Sequence, residues 1–151
     1  MKSRTRARSL ALQVLYEVDM TGHLPGIVLE QRLAEMDEEG REGLKPELLE
    51  FTRQIIFSIL PIAEEIDNTI ASHAPEWPFD QIAAIDRNIL RIAAWEFAIS
   101  ELTPTKVAIN EAVELAKLYG SDNAPKFING VLGSLADQET EIRLSFKKGS
   151  A

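Results

Sequence analysis

The chain has 151 residues, 45% hydrophobic and 26% charged, the balance of an ordinary globular domain able to bury roughly 70% of its unfolded surface. The absence of cysteine excludes a disulfide framework, a thiolate metal site and a cysteine nucleophile. The net charge of −8 hides an asymmetry: the first sixteen residues hold Lys2, Arg4, Arg6 and Arg8 and no acid, while the rest carries 12 basic and 24 acidic residues. A basic end on an acidic body is a charge dipole that leaves room for a local anionic partner. No run of about 18 apolar residues could form a membrane span, and the basic start lacks the apolar core of a secretory signal, so a cytoplasmic location is expected.

Every strong pattern has the helical period, and no stretch alternates like a strand for long. The first helix is predicted from about Thr5 to Met20, with Ala7, Leu10, Ala11, Val14, Leu15 and Val18 on one stripe, and TGHLPG ends it. A second covers about Gly26–Met36. The acidic, glycine-containing DEEGREGLKP reads as a loop. Glu47–Leu60 follows, and Pro61 either kinks that helix or opens the next, which runs to about Ser72. HAPEWPF interrupts the pattern, and its Trp77 and Phe79 are expected against the core.

A helix of about Ile82–Glu101 comes next, with Ile85, Ile89, Ile92, Ala93 and Phe97 inward. Thr103-Pro104 fits an N-cap followed by proline at the first helical position. The following helix ends at Tyr119, where Gly120 suits a left-handed cap. A last helix spans about Pro125–Ala136, and a frayed, partly basic tail follows. In G-V-L-G of Gly130–Gly133, two small residues suit close helix packing. The predicted organisation is one domain over 1–136 and a tail over 137–151.

Little in this pattern suggests catalysis. His23 and His73 stand in predicted loops far apart, with no carboxylates at metal-ligand spacing, and read as surface histidines. No glycine-rich loop follows a strand. Acid pairs such as Glu64 and Glu65 read as solvated helix faces. No metal or cofactor is expected.

Three features point instead to binding. Arg4 and Arg8 share a helix face while Arg6 points elsewhere. Arginines at a helix start oppose the macrodipole, which favours acids there, and their planar forks suit phosphate. The alternative is a basic tip without a partner. Arg8, Leu12 and Tyr16 form a second stripe beside the core stripe, which either is buried or meets a partner. Lys126 and Phe127 pair a cation with an aromatic ring at the start of the last helix, where the ring either packs in the core or stacks on an unpaired base. Lys117, in the last turn of the preceding helix, suits the dipole without any ligand. Asp86, Arg87 and Arg91 sit among apolar neighbours, as an internal ion pair or as a polar contact to a partner.

The segments TRARSLALQVLYEVD, IDRNILRIAAWEF and KVAINEAVELAKLYGSDNAPKFINGVLGSL resemble the NusB family of bacterial transcription antitermination factors, over about 1–136. The resemblance implies an all-α fold of about seven helices in two subdomains and no catalysis. It implies binding of boxA, a short single-stranded RNA, together with NusE, a small-subunit ribosomal protein, in a transcription elongation complex that supports rRNA synthesis. Residue by residue, it places Lys2, Arg4, Arg6, Arg8, Lys117, Lys126 and Phe127 toward RNA. It places Leu12, Tyr16, Asp86 and Arg91 toward NusE. It also leaves a homodimer open.

Departures from the family pattern fall at Ser9, where many members have Glu, at Asn123, where an acid is common, in SDNAP and in the long acidic loop. The rival expectations are an rRNA-maturation helper, related to the N-terminal domain of the rRNA cytosine methyltransferase RsmB, and a protein-only interaction module. With no stretch left over for a methyltransferase domain, the free-standing factor is the better match.

Overall fold

A computed structural model describes residues 2–149; Met1 and the last two positions of the expected tail lie outside the described residues. The chain divides into two compact units, one up to Pro61 and one from Ile62 onward. Every regular element among the described residues is helical, as the periodicity requires.

Among its described residues, the first unit holds four α-helices. α1 is Ser3–Thr21, α2 is Pro25–Glu35, α3 is Glu38–Gly43 and α4 is Pro46–Ile59. α1 ends at Gly22, whose φ of 75° is the left-handed conformation and whose N–H donates to the Val18 carbonyl, as a glycine cap should. The stripe predicted for α1 is the core stripe except at Val18, which is half-buried: Ala7, Ala11 and Val14 are fully buried, as are Ile55, Ile56 and Ile59 of α4. Burying a side chain of isoleucine size contributes about 1.5–3 kcal/mol. The Thr52 hydroxyl ties the two helices by donating to the Ala7 carbonyl at 2.9 Å. Arg32 ties α2 to α1 through Gln13 Oε1 and Glu17 Oε1. The stretch expected as a loop contains α3, because the Asp37 carboxylate caps it by accepting the Gly40 N–H at 2.7 Å, and a carboxylate there also meets the helix dipole favourably.

The second unit holds α5 (Ala63–His73), α6 (Ala84–Ala94), α7 (Thr105–Tyr119), α8 (Ala124–Ala136) and α9 (Glu139–Gly149). Pro61 sits in a 3₁₀ turn, Leu60–Ile62, before α5, so it separates two helices. The long helix expected to Glu101 is α6 followed by a π-helical segment, Trp95–Ser100, which Glu101 ends at a φ of 56°. Its core includes Ile89, Leu90, Ile92 and Phe97; Ile85, expected inward, is half-buried.

Three further expectations are corrected. Thr103 does not cap α7: Pro104 holds that position, and the Thr103 hydroxyl donates instead to the buried Glu96 carboxylate at 2.8 Å. Gly120 is extended (φ −89°, ψ 179°), not left-handed. It is needed for space, since a Cβ there would lie 2.5 Å from Ala124 Cβ and 2.9 Å from the Ala116 carbonyl oxygen. Residues 139–149 form α9, not a frayed end: Ile142 is buried, and Arg143 donates to the Phe97 carbonyl at 2.9 Å and pairs with Glu139 and Glu101. Of the two small residues in α8, Gly130 does allow close approach, with Trp77 at 3.2 Å from where its Cβ would be, whereas Gly133 faces open space.

Candidate nucleic-acid and partner-binding surfaces

In the first unit, the basic residues at the start of α1 fall into distinct settings. No acid stands in the first turn, so the helix dipole has no local counter-charge there. Arg4 and Arg8, one turn apart, both lie on the ring of Phe51 from α4, with guanidinium carbons 3.9 and 5.2 Å from its centroid. Such a ring draws each cation by about 0.5–2 kcal/mol and offsets their mutual repulsion. Arg8 is 3% exposed and Phe51 8%, while Arg4 and Lys2 are exposed. Arg6, half-buried, turns away from that ring: its guanidinium fills the space where a side chain at Gly43 would be. Two cations are therefore offered to solvent, one of them on an aromatic base, and a third is anchored inside.

Along α1, the Arg8–Leu12–Tyr16 stripe is buried at its first two positions and open at the third. Leu12 is 0% exposed and Tyr16 37%. Leu12 is thus a core residue, and the surface expected there reduces to Tyr16.

In the second unit, α7 and α8 form the predicted hairpin. Lys117 is exposed and pairs with Glu114 at 3.2 Å, an exposed pair that a ligand could replace at little cost. Lys126 is exposed and Phe127 half-buried. Phe127 lines a pocket of about 350 Å³ with Trp77, Ile82, Asp86, Asn123 and Ala124. Asp86, expected at a protein interface, is 9% exposed. Its Oδ1 has no hydrogen-bond partner and lies 3.2 Å from where a Gly120 Cβ would be. Burial pushes this carboxyl above the usual carboxylate range.

Arg91, expected beside Asp86, belongs to another pair. Its fork bonds Asp67 of α5 through Nε (2.7 Å) and a terminal nitrogen (2.6 Å), and it donates to Asn88 Oδ1 at 3.0 Å. This is the internal ion pair considered for the segment, with a partner that the local sequence does not name. Among the described residues, no cluster of three or more His, Cys, Asp or Glu could hold a metal ion, and no helix is long and apolar enough to cross a membrane.

Comparison with known proteins fits this arrangement. Residues 5–137 match the model of the NusB family. The chain belongs to the NusB family. The transcription antitermination protein NusB of Roseiflexus sp. (strain RS-1) is 46% identical over 142 residues, 93% of this chain and 96% of the relative. That of Bacillus pumilus (strain SAFR-032) is 38% identical over 135 residues, 89% and 95% of the two chains. Among solved structures, a crystal structure of the antitermination factors NusB and NusE in complex with double-stranded RNA matches with a TM-score of 0.75 at 26% identity, covering 96% of this chain and 98% of that one. The solution structure of NusB from Aquifex aeolicus matches with a TM-score of 0.74 at 28% identity, covering 91% and 89%. The helical fold of the described residues is the one these NusB structures share.

Phe51, Asp67 and the pocket around Asp86 were not found by sequence reasoning. Each is joined to its partners only by the tertiary fold, and no local pattern marks it.

Proposed function

We propose that the chain is a transcription antitermination factor that binds single-stranded boxA-type RNA together with NusE and supports processive transcription of rRNA operons within the elongation complex. The observation that carries this reading is Arg4: an exposed arginine, seated on Phe51, at a helix start without an acid, in a chain of the NusB family. A guanidinium held on a ring loses less freedom when it grips a phosphate, and its fork matches phosphate oxygens.

Each residue has a role in this account. Lys2, Arg4 and Arg6 meet RNA phosphates, while buried Arg8 holds the Phe51 ring in place under Arg4. On the second unit, Lys126 and Lys117 meet phosphate and Phe127 stacks on an unpaired base. Sequence-specific RNA recognition targets such splayed bases. Tyr16 meets NusE as an exposed aromatic with a polar tip, the type enriched at interfaces. Leu12 shapes the Tyr16 surface from beneath. Arg91 acts through Asp67 and Asn88 by fixing α6.

The test is fluorescence anisotropy of a labelled boxA-type RNA, with a scrambled RNA as control, with and without NusE, across salt concentrations. Preference for boxA, tightening by NusE, and a salt slope of about −0.7 per phosphate contact are expected. Equal binding of both RNAs with no effect of NusE would remove the proposed function and leave a protein-only role.

A further inference from the structure

The acidic segment between α2 and α4 has no role in the account above, yet it touches the basic start of α1. α3 reads EEGREG, and its Glu38, Glu39 and Glu42 are exposed. Its one cation, Arg41, is turned to α2, donating to the Leu33 and Ala34 carbonyls at 3.3 and 3.0 Å. Arg6 of α1 lies against the last residue of α3. A Cβ built on Gly43 would meet the Arg6 Nη1 and stand 3.0 Å from its Cζ, and the three nearest atoms all belong to Arg6. Gly43 is not left-handed, so its missing side chain makes room for the guanidinium and not for a turn. The C-terminal end of a helix carries the negative pole of its dipole and favours a cation. Glu39, one turn before Gly43, shares the face on which Arg6 rests.

We infer that α3 is an autoinhibitory flap: it holds Arg6 on Gly43 beside Glu39, and an RNA phosphate must draw Arg6 off α3 before this arginine can grip it. The inference rests on the RNA-binding reading above and adds a contact within the chain that opposes it. Arg4 and Arg6, two residues apart, differ in this respect. Arg4 is exposed on the neutral ring of Phe51, which leaves its charge to solvent. Arg6 is half-buried on a helix end that competes with phosphate for the same fork. The exposed acids of α3 also repel a strand that approaches Arg6. α3 itself is lightly held, because none of its residues is buried, and such segments open at low cost. Apparent affinity falls with the fraction of chain in the competent state, so the flap weakens binding without touching RNA.

The experiment compares the full wild-type chain with Gly43→Ala by anisotropy of a labelled boxA-type RNA, each with Arg6 kept or changed to alanine. The methyl of Gly43→Ala meets the far end of a flexible side chain, which can swing away, and alanine suits a helix better than glycine. The variant therefore folds and releases Arg6. It should bind RNA about 2–5-fold more tightly at low salt, the size of one charge interaction at a helix end. With Arg6→Ala in place, Gly43→Ala should change nothing. Glu39→Gln should also tighten binding, and most of that gain should vanish without Arg6. Weaker binding by Gly43→Ala would make α3 a seat for Arg6, and unchanged binding would make the contact packing alone; either overturns the inference. So does a Glu39→Gln gain that persists in full without Arg6, which is general repulsion. A second readout needs no RNA: inorganic tripolyphosphate is titrated into the ¹⁵N-labelled chain while the Arg6 Nε–H and Gly43 amide signals are followed. Gly43→Ala should respond at several-fold lower concentration than the wild-type chain. That response in a chain that binds no RNA removes the proposed function and leaves the flap. Preference for boxA with equal tripolyphosphate titrations does the reverse.

Discussion

The Arg4 guanidinium carbon sits 3.9 Å from the centroid of the Phe51 ring, joining the first turn of α1 to α4 by a contact that also aims a cation outward. Arg4→Ala is expected to cost about 0.5–1 kcal/mol of stability, the loss of an exposed cation–π contact, and to weaken RNA binding. The magnitude of its salt slope should fall by about 0.7, one phosphate contact. Anisotropy over a salt series measures both; an unchanged slope would show that Arg4 does not meet phosphate.

Phe51 is buried beneath two arginines, so its loss should be felt twice. Phe51→Ala is expected to cost about 3–5 kcal/mol of stability, whereas Phe51→Leu keeps most of the volume and removes the ring. Phe51→Leu should therefore fold with a smaller loss and still bind RNA more weakly, because Arg4 is no longer held. Urea denaturation and anisotropy on the two variants separate the effects.

Arg91 and Asp67 are 10% and 20% exposed at their side chains, with a closest approach of 2.6 Å. Removing one partner leaves a largely buried charge unpaired, at a cost on the order of 3 kcal/mol. Arg91→Lys should recover little of this, since an ammonium cannot make both bonds to Asp67 and the bond to Asn88 in one plane. Denaturant midpoints of Arg91→Ala, Arg91→Lys and Asp67→Ala check the order; near-wild-type stability in Arg91→Lys would contradict the fork.

Asp86 makes a pH prediction. Burial raises its folded-state pKa above the unfolded value, so the folded chain holds this proton more tightly. The resulting stabilisation is fully present below the unfolded-state pKa and is lost as pH rises through the folded-state value. Asp86→Asn removes the charge that must be buried at neutral pH. Its Tm should exceed that of the wild-type chain at neutral pH, and the gap should close as pH falls through the carboxylate range. A gap independent of pH in a series of thermal melts would contradict this.

Gly120 and Gly22 should fail for different reasons when changed to alanine. Gly120→Ala drives a methyl into Ala124 and the Ala116 carbonyl, an overpacking cost of about 1–3 kcal/mol. Gly22→Ala meets no atom within 4 Å and pays only for its left-handed backbone, about 1–2 kcal/mol.

The helices were legible in the sequence because burial imposes a period of 3.6 on α1, α4, α6, α7 and α8, and the turn residues around Gly22 and Pro61 marked their ends. Where a local signal has two physical causes, the structure decided between them. Gly120 is a glycine for space and not for φ, and Thr103 hydrogen-bonds Glu96 in place of a cap. The π-helical segment at Trp95–Ser100 has no sequence signature of its own, and α9 is held by Arg143 reaching the Phe97 carbonyl, 46 residues away in the chain. The candidate surfaces divide in the same way. Arg4, Arg6, Arg8 and Lys126 could be named from charge and spacing. Phe51 and Asp67, which position such groups, sit on other helices, and the burial of Leu12 and Asp86 depends on packing that periodicity does not resolve.

The central claim, that this chain supports antitermination through boxA, is tested most directly by terminator read-through in a transcription extract depleted of its own NusB-family protein. The template carries boxA upstream of the terminator, and a matched template carries a scrambled element. The account predicts that adding the chain restores read-through on the boxA template alone, and that Arg4→Ala restores less. Read-through that is unaffected by the chain, or that rises equally on both templates, would contradict it.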